Sequence, residues 1–391
     1  MSAAGELRAA LRGRLERRRR EGLYRSLRMR GPGPVTAQRL DGRAVIDFCS
    51  NDYLGLSTHP RVVSAFREAG GRYGVGARAA HLVSGHTELH AELECRLAAW
   101  TGRERALVFS TGFMANLGAI TTLVGPGDAV FQARLNHASL LDAGRASGAR
   151  LYRYRDLRHL ERLLERAGAR HRLVVTDGVF SMDGTLAPLP ELAALCERYE
   201  AWLMVDDAHG LGVLGPQGRG TVALHGLGQD EVPVLMGTFG KALGGFGAFV
   251  AGPGELIEAL IQEARSYVYT TALPPAVAAA ALAALEIVET DPRRRVRLDA
   301  LVGRFRAGAR ARGLALAESR TPIQPLILGP PERAVAAADR LMKTGFWVAA
   351  IRPPTVPRGT ARLRITLTAA HTEEQVDALL EALGATLGQG A

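Results

Sequence analysis

The sequence predicts an α/β fold: a large domain on a mostly parallel seven-stranded sheet, followed by a smaller C-terminal α/β domain. Three observations carry this. From about residue 60 to 290, short apolar runs alternate with segments of helical periodicity. The chemically rich polar clusters follow directly on the apolar runs. At 391 residues the chain is long enough for two packed lobes. Taken in order, residues 1 to about 30 read as a helix, ended by the turn-rich Gly31-Pro32-Gly33-Pro34, and Val45-Ile46-Asp47-Phe48 reads as a short strand. The sheet strands are expected at 106–109, 129–132, 151–154, 173–176, 202–205, 234–236 and 248–251, with amphipathic segments between them at 116–123 and 189–199. Such alternation implies parallel strands covered on both faces. After Asp291-Pro292 an arginine-rich helix leads to strands at 324–328, 347–350 and 362–366 and a closing helix at 372–383. The expected domains are therefore an N-terminal helix and arm (1–45), a large domain (46–290) and a small one (291–391).

Composition narrows the function classes. Of 49 basic residues only Lys241 and Lys343 are lysine, so the net charge of +10 reflects an arginine preference rather than a designed surface. Apart from the N-terminal cluster and Arg293 to Arg297 the arginines are scattered, and no aromatic platform interleaves with them, so nucleic acid is not an expected partner. An anionic substrate such as a CoA thioester fits better. Cys49, Cys95 and Cys196 have no metal-ligand spacing and cannot pair evenly. They suit a reducing cytoplasm, and no metal is expected. No apolar run approaches the roughly 20 residues that span a bilayer, and the N-terminus lacks the apolar stretch of a secretory signal. Glu6, Glu16 and Glu21 argue against reading the Arg-rich start as a transit peptide.

In parallel sheets ligands gather at the carboxyl ends of the strands. After Phe109 comes Ser110-Thr111-Gly112-Phe113-Met114-Ala115-Asn116, a small-residue turn opening a helix, whose N–H groups favour a phosphate. After Val175 comes Thr176-Asp177-Gly178-Val179-Phe180-Ser181-Met182-Asp183-Gly184. After Val205 comes Asp206-Asp207-Ala208-His209-Gly210, and after Met236 comes Gly237-Thr238-Phe239-Gly240-Lys241-Ala242-Leu243-Gly244-Gly245. Singly, Asp206 reads as well as a turn cap, His209 as a structural histidine and Lys241 as a surface lysine. Together, four clusters at successive strand ends point to one site. The apolar, glycine-rich flanks of Lys241 suit a buried amine poised for a Schiff base, whereas Lys343 has no such setting. Pyridoxal phosphate (PLP) needs a carboxylate at its pyridine nitrogen, for which Asp206 is placed. His209 and Ser181 supply donors for the ring oxygen, His137 in Leu135-Asn136-His137-Ala138-Ser139 a planar group against the ring, and Gly112, Phe113 and Thr238 the phosphate contacts.

Thr238-Phe239-Gly240-Lys241-Ala242-Leu243-Gly244 resembles the lysine signature of fold-type I PLP-dependent transferases. Asp206-Asp207-Ala208-His209-Gly210, the stretch from Asp177 to Gly184, and Ser50-Asn51-Asp52-Tyr53-Leu54-Gly55-Leu56 resemble the α-oxoamine synthases within that group. So do His81-Leu82-Val83-Ser84-Gly85-His86, Ile351-Arg352-Pro353-Pro354-Thr355-Val356-Pro357 and the run from Arg362 to Ala369. The resemblance runs from about residue 15 to the C-terminus. It implies Lys241, His137, Asp206 and His209 as catalytic residues. It further implies a cofactor held by Gly112, Phe113, His137, Ser181, Asp206, His209, Thr238 and Lys241. Arg364 would grip the amino-acid carboxylate, with Arg25, His137 and Thr355 at the substrate. The family is a homodimer, in which Thr270 and Thr271 reach the neighbouring subunit's phosphate. The implied reaction is a decarboxylative condensation of L-alanine with pimeloyl-CoA or pimeloyl-acyl-carrier protein in biotin biosynthesis. The alternative is a glycine-using sister such as glycine C-acetyltransferase. One departure stands out: relatives often carry a Gly/Ser-rich loop before His81, but here it reads Gly74-Val75-Gly76-Ala77-Arg78-Ala79-Ala80.

Overall fold

The computed structural model describes residues 3–388; residues 1–2 and 389–391, at the ends of the expected first and last domains, lie outside the described residues. The chain divides into two compact units. One comprises residues 51–298, the other residues 1–50 together with 299–391, and the division falls inside the helix Arg293–Ala311. Among the described residues no helix is long and apolar enough to cross a membrane.

The first unit is built on a seven-stranded sheet whose spatial order is Arg105–Phe109, Ala248–Gly252, Val234–Thr238, Trp202–Asp206, Arg172–Asp177, Ala129–Ala133 and Arg150–Tyr154. All pairings are parallel except the two made by Ala248–Gly252. Strands covered on both faces read as continuous apolar runs, and successive side chains divide between the faces. Val130, Leu173, Val175, Met204, Val234, Met236 and Val250 pack on one face with Ala115, Ala119 and Ile120 of the helix Gly112–Leu123. Phe131, Val174, Leu203, Val205 and Leu235 face the other way, against Leu160 and Leu164 of Leu157–Arg166 and Leu192 of Leu189–Arg198. Asp156 starts Leu157–Arg166 by accepting the His159 N–H at 2.8 Å, as N-cap carboxylates do. All seven expected strands are present, each within two residues of its expected bounds.

The second unit holds two three-stranded sheets. In one, Ala37–Leu40 pairs antiparallel with Arg43–Asp47, which pairs parallel with Phe346–Trp347. In the other, Ala361–Thr366 lies between Ile323–Gly329 and Ala349–Ile351, antiparallel to both. Two expectations need correction here. The single strand expected at 347–350 is two short strands on either side of the buried Val348, each serving a different sheet. Periodicity shows that a run is extended, but not which partner each half meets. The N-terminal helix, expected to reach about residue 30, spans Ala3–Arg20. Gly22, at φ +65°, turns the chain out of the helix while Leu23 N–H bonds the Arg18 carbonyl at 2.8 Å, a left-handed C-terminal cap.

Candidate active site

Strand register assembles the site. Asp177 and Asp206 end neighbouring parallel strands and stand directly opposite one another, with Met236 paired to Asp206 on the next strand. The clusters after these strands therefore meet at one edge of the sheet, and the turn after Phe109 brings up the N-terminus of Gly112–Leu123.

Asp206 is buried, and both carboxylate oxygens are held. Oδ2 accepts from Asn116 Nδ2 at 2.8 Å, and Oδ1 from the Ala208 N–H at 3.1 Å. Asn116 Nδ2 also donates to Ser139 Oγ at 2.8 Å, and Ser139 Oγ lies 2.7 Å from His137 Nδ1. Since Nδ1 also receives the Ser139 N–H at 3.3 Å, it acts as an acceptor and the neutral ring carries its proton on Nε2. A hydrogen-bond chain thus runs from Asp206 through Asn116 and Ser139 to His137. The His137 N–H in turn donates to Asp177 Oδ2 at 2.7 Å.

The electrostatics follow from burial. Asp177 is held well above the usual carboxylate range by desolvation, reinforced by the Asp206 charge beside it. His137 is lowered by desolvation; the Asp206 carboxylate opposes this and the Lys241 ammonium adds to it, so both charges act on its ring. Asp207 points away into the protein, fully buried, and accepts the Thr221 N–H at 2.6 Å. A Cβ on Gly178 or Gly210 would stand 2.5 and 2.1 Å from its Oδ1, so these turns need glycine for space.

The remaining expected residues of this unit are placed as follows. Lys241 is half-buried in the turn after Val234–Thr238. That turn closes through Gly244 N–H to the Lys241 carbonyl at 2.9 Å. Gly244, at φ +66°, lies so close to Ser57 that a Cβ would meet its backbone nitrogen at 2.2 Å. Thr238 Oγ1 donates to the Gly247 carbonyl at 2.8 Å and accepts the Gly240 N–H at 3.2 Å. Gly112 and Phe113 are the first two residues of their helix, capped by Thr111 accepting from Met114 N–H at 3.2 Å. Buried His209 has its Nδ1 2.6 Å from the Tyr53 hydroxyl. Ser181 is half-buried in the loop after Arg172–Asp177. Thr271 forms an isolated bridge with Ala80, and its carbonyl accepts from Ser110 Oγ at 3.2 Å; Thr270 precedes it, half-buried.

Arg364, Thr355 and Arg25 belong to the second unit. Arg364 is buried in the middle of Ala361–Thr366, donating to Thr366 Oγ1 at 2.9 Å. Thr355 and Arg25 are exposed. Sequence reasoning left out Asn116, Ser139, Asp177 and Tyr53 as contributors. Each lies inside a motif already singled out, but their roles are side-chain contacts with groups 23 to 156 residues away in sequence, to which spacing is blind.

Comparison with known proteins shows the family. Residues 43–383 match the family model for aminotransferase class I and II. The 8-amino-7-oxononanoate synthase of Thioalkalivibrio sulfidiphilus is 59% identical over 94% of this chain and 95% of its own. That of Methylococcus capsulatus is 61% identical over 90% and 92%. Among solved structures, serine palmitoyltransferase from S. paucimobilis, with a bound PLP–myriocin aldimine, superposes with a TM-score of 0.92 at 31% identity, covering 99% of this chain and 98% of that one. An 8-amino-7-oxononanoate synthase from Francisella tularensis matches with a TM-score of 0.77 at 32% identity, over 88% of this chain and 98% of its own.

Proposed function

This chain belongs to the 8-amino-7-oxononanoate synthases, and from that premise we propose that it condenses L-alanine with a pimeloyl thioester, releasing CO2 and free thiol, in biotin biosynthesis. The observation that carries the reading is the gathering of Asp206, His137 and Lys241 at strand ends on one edge of the sheet, in a chain 54–61% identical to relatives of that name. The glycine-using alternative is not favoured by relatives at that level of identity.

The residues fit PLP. A buried carboxylate with both oxygens engaged, a lysine in a glycine-rich turn, a histidine under both charges and a capped helix N-terminus are the donor set that cofactor requires. When bound, PLP supplies an electron sink for the negative charge left at the amino acid's α-carbon and, later, for loss of carboxylate. Lys241 anchors the cofactor through its amine and serves as base at the α-carbon. Asp206 would pair with the protonated ring nitrogen, and Asn116 holds the carboxylate through Oδ2. His137, its Nε2 carrying the proton, would hold the face of the ring. With the Tyr53 hydroxyl donating to Nδ1, His209 offers Nε2–H to the ring oxygen, and Ser181 offers its hydroxyl. The N–H groups of Gly112 and Phe113 would take the phosphate, and the Thr238 hydroxyl would join them by turning from the Gly247 carbonyl. Arg364 binds the amino-acid carboxylate, as guanidinium groups do, while Arg25 and Thr355 serve the acyl chain.

A homodimer completes the reading, with Thr270 and Thr271 serving the partner's phosphate. Support comes from large apolar side chains left in water around the loop before His90: Val75 is 96% exposed and Val83 79%, the kind of surface that marks an interface. The thioester substrate and three unpaired cysteines suit the cytoplasm. The test is thiol release with alanine or glycine crossed against pimeloyl-CoA, pimeloyl-acyl-carrier protein, acetyl-CoA and succinyl-CoA. Release confined to alanine with a pimeloyl donor is expected. Faster release with glycine and a short donor would move the enzyme to a sister function.

A further inference from the structure

Three histidines outside this constellation converge beside it. His81 opens the short π-helical turn His81–Gly85, His86 follows that turn, and His90 lies in the first turn of the helix Glu88–Thr101. One ring nitrogen from each lies within 4.8 Å of the other two. His81 Nδ1 and His86 Nδ1 are 3.0 Å apart, so only one of the two can carry a proton. Nε2 of His81 is buried and has no hydrogen-bond partner among the described residues.

The surroundings have the form of metal-ligand support. His90 Nε2 lies 2.6 Å from the Leu273 carbonyl, which fixes its proton there and leaves Nδ1 as a lone pair. His86 Nε2 lies 3.9 Å from Glu94 Oε2. A carbonyl on the far ring nitrogen, as at His90, is how metal-binding histidines are oriented; Glu94 must draw closer to hold His86 in the same way. Zinc–nitrogen bonds of about 2.0–2.1 Å at tetrahedral angles put neighbouring nitrogens about 3.3–3.4 Å apart, close to the His81–His86 separation. His86 is the exposed member of the three and has the freedom to close the remaining distance.

We propose that His81, His86 and His90 form a site for a divalent transition metal of the zinc class, with Glu94 orienting His86 and water completing the coordination. Binding displaces both the Thr87 N–H at 3.0 Å and the Thr87 hydroxyl at 2.9 Å from His90 Nδ1, opening the capping box of that helix. His81 stacks on Tyr267 with ring centroids 4.8 Å apart, and Ala80 bridges Thr271. The ion therefore ties the π-helical turn to the stretch that carries Thr270 and Thr271. The reading of cysteine spacing passed over this site because all its ligands are imidazoles.

The test titrates Zn2+ by calorimetry into PLP-loaded enzyme freed of metal by chelation and desalting, comparing wild type, His86→Ala and Glu94→Gln. One ion per wild-type chain is expected, with affinity falling about 10–100-fold in Glu94→Gln and further in His86→Ala. Equal affinity in wild type and His86→Ala would place any bound zinc elsewhere and overturn the proposal, as would no uptake at one equivalent. A second measurement needs no variant. Co2+ added to the wild type should give the strong visible absorption of a four-coordinate nitrogen-rich site, and the weak spectrum of hydrated Co2+ would overturn it.

Discussion

At the scale of single residues, the proposed mechanism divides the chemistry between the Lys241 amine and the Asp206 carboxylate. A positioned base contributes about 100-fold or more to a proton transfer. Lys241→Ala should therefore cut thiol release by at least about 100-fold, measured in the alanine and pimeloyl-CoA assay with PLP in excess. Retained turnover would remove Lys241 from the mechanism. Asn116 acts one contact further out, since it touches Asp206 and Ser139 at 2.8 Å each and points both toward the site. A hydrogen bond to a charged group is worth about 1.5–3 kcal/mol, so Asn116→Ala should weaken PLP binding roughly 10–100-fold. The check is a PLP titration followed by absorbance, with Asn116→Asp and its added negative charge expected to do worse than alanine.

Loops become precise at the scale of elements by wrapping buried polar groups. Asp207 is the hub of one such arrangement: its carboxylate receives the Thr221 N–H, and the turns at Gly178 and Gly210 close around it. Burial pushes this carboxyl up to about 7, whereas the unfolded chain ionises it near its ordinary value of about 4. The folded state thus favours the protonated form. The stability it lends is complete below about pH 4 and is lost as pH rises through 7. Asp207→Asn removes that dependence. The melting temperature of the variant relative to wild type should rise between pH 5 and pH 8, and a pH-independent difference would contradict the burial argument.

Across the whole molecule, association is the property in question. Val75, Leu82 and Val83 leave apolar surface in water on the approach to the histidine cluster, and the proposed role of Thr270 and Thr271 requires a second subunit. Val83→Asp, a charge in the middle of that surface, should shift the enzyme from dimer toward monomer in sedimentation velocity, and thiol release should fall in parallel. A monomeric wild type with full activity would remove the shared-site reading.

The sequence by itself determined the order of strands and helices, because apolar runs at strand length and amphipathic segments at helix length are local signals. It also determined which chemical groups stand at the strand ends, since Asp206, Lys241 and Gly112 follow their strands or turns directly along the chain. Only the tertiary structure decided what depends on distant pairing. Register sets Asp177 against Asp206, and side-chain contacts link Asn116 to Ser139 and Tyr53 to His209. A run such as 346–351 splits between two sheets for the same reason, its halves finding partners on Arg43–Asp47 and Ala361–Thr366. Local periodicity records which face of an element is buried; the identity of the group across from it is settled by packing, which joins residues that the chain keeps far apart.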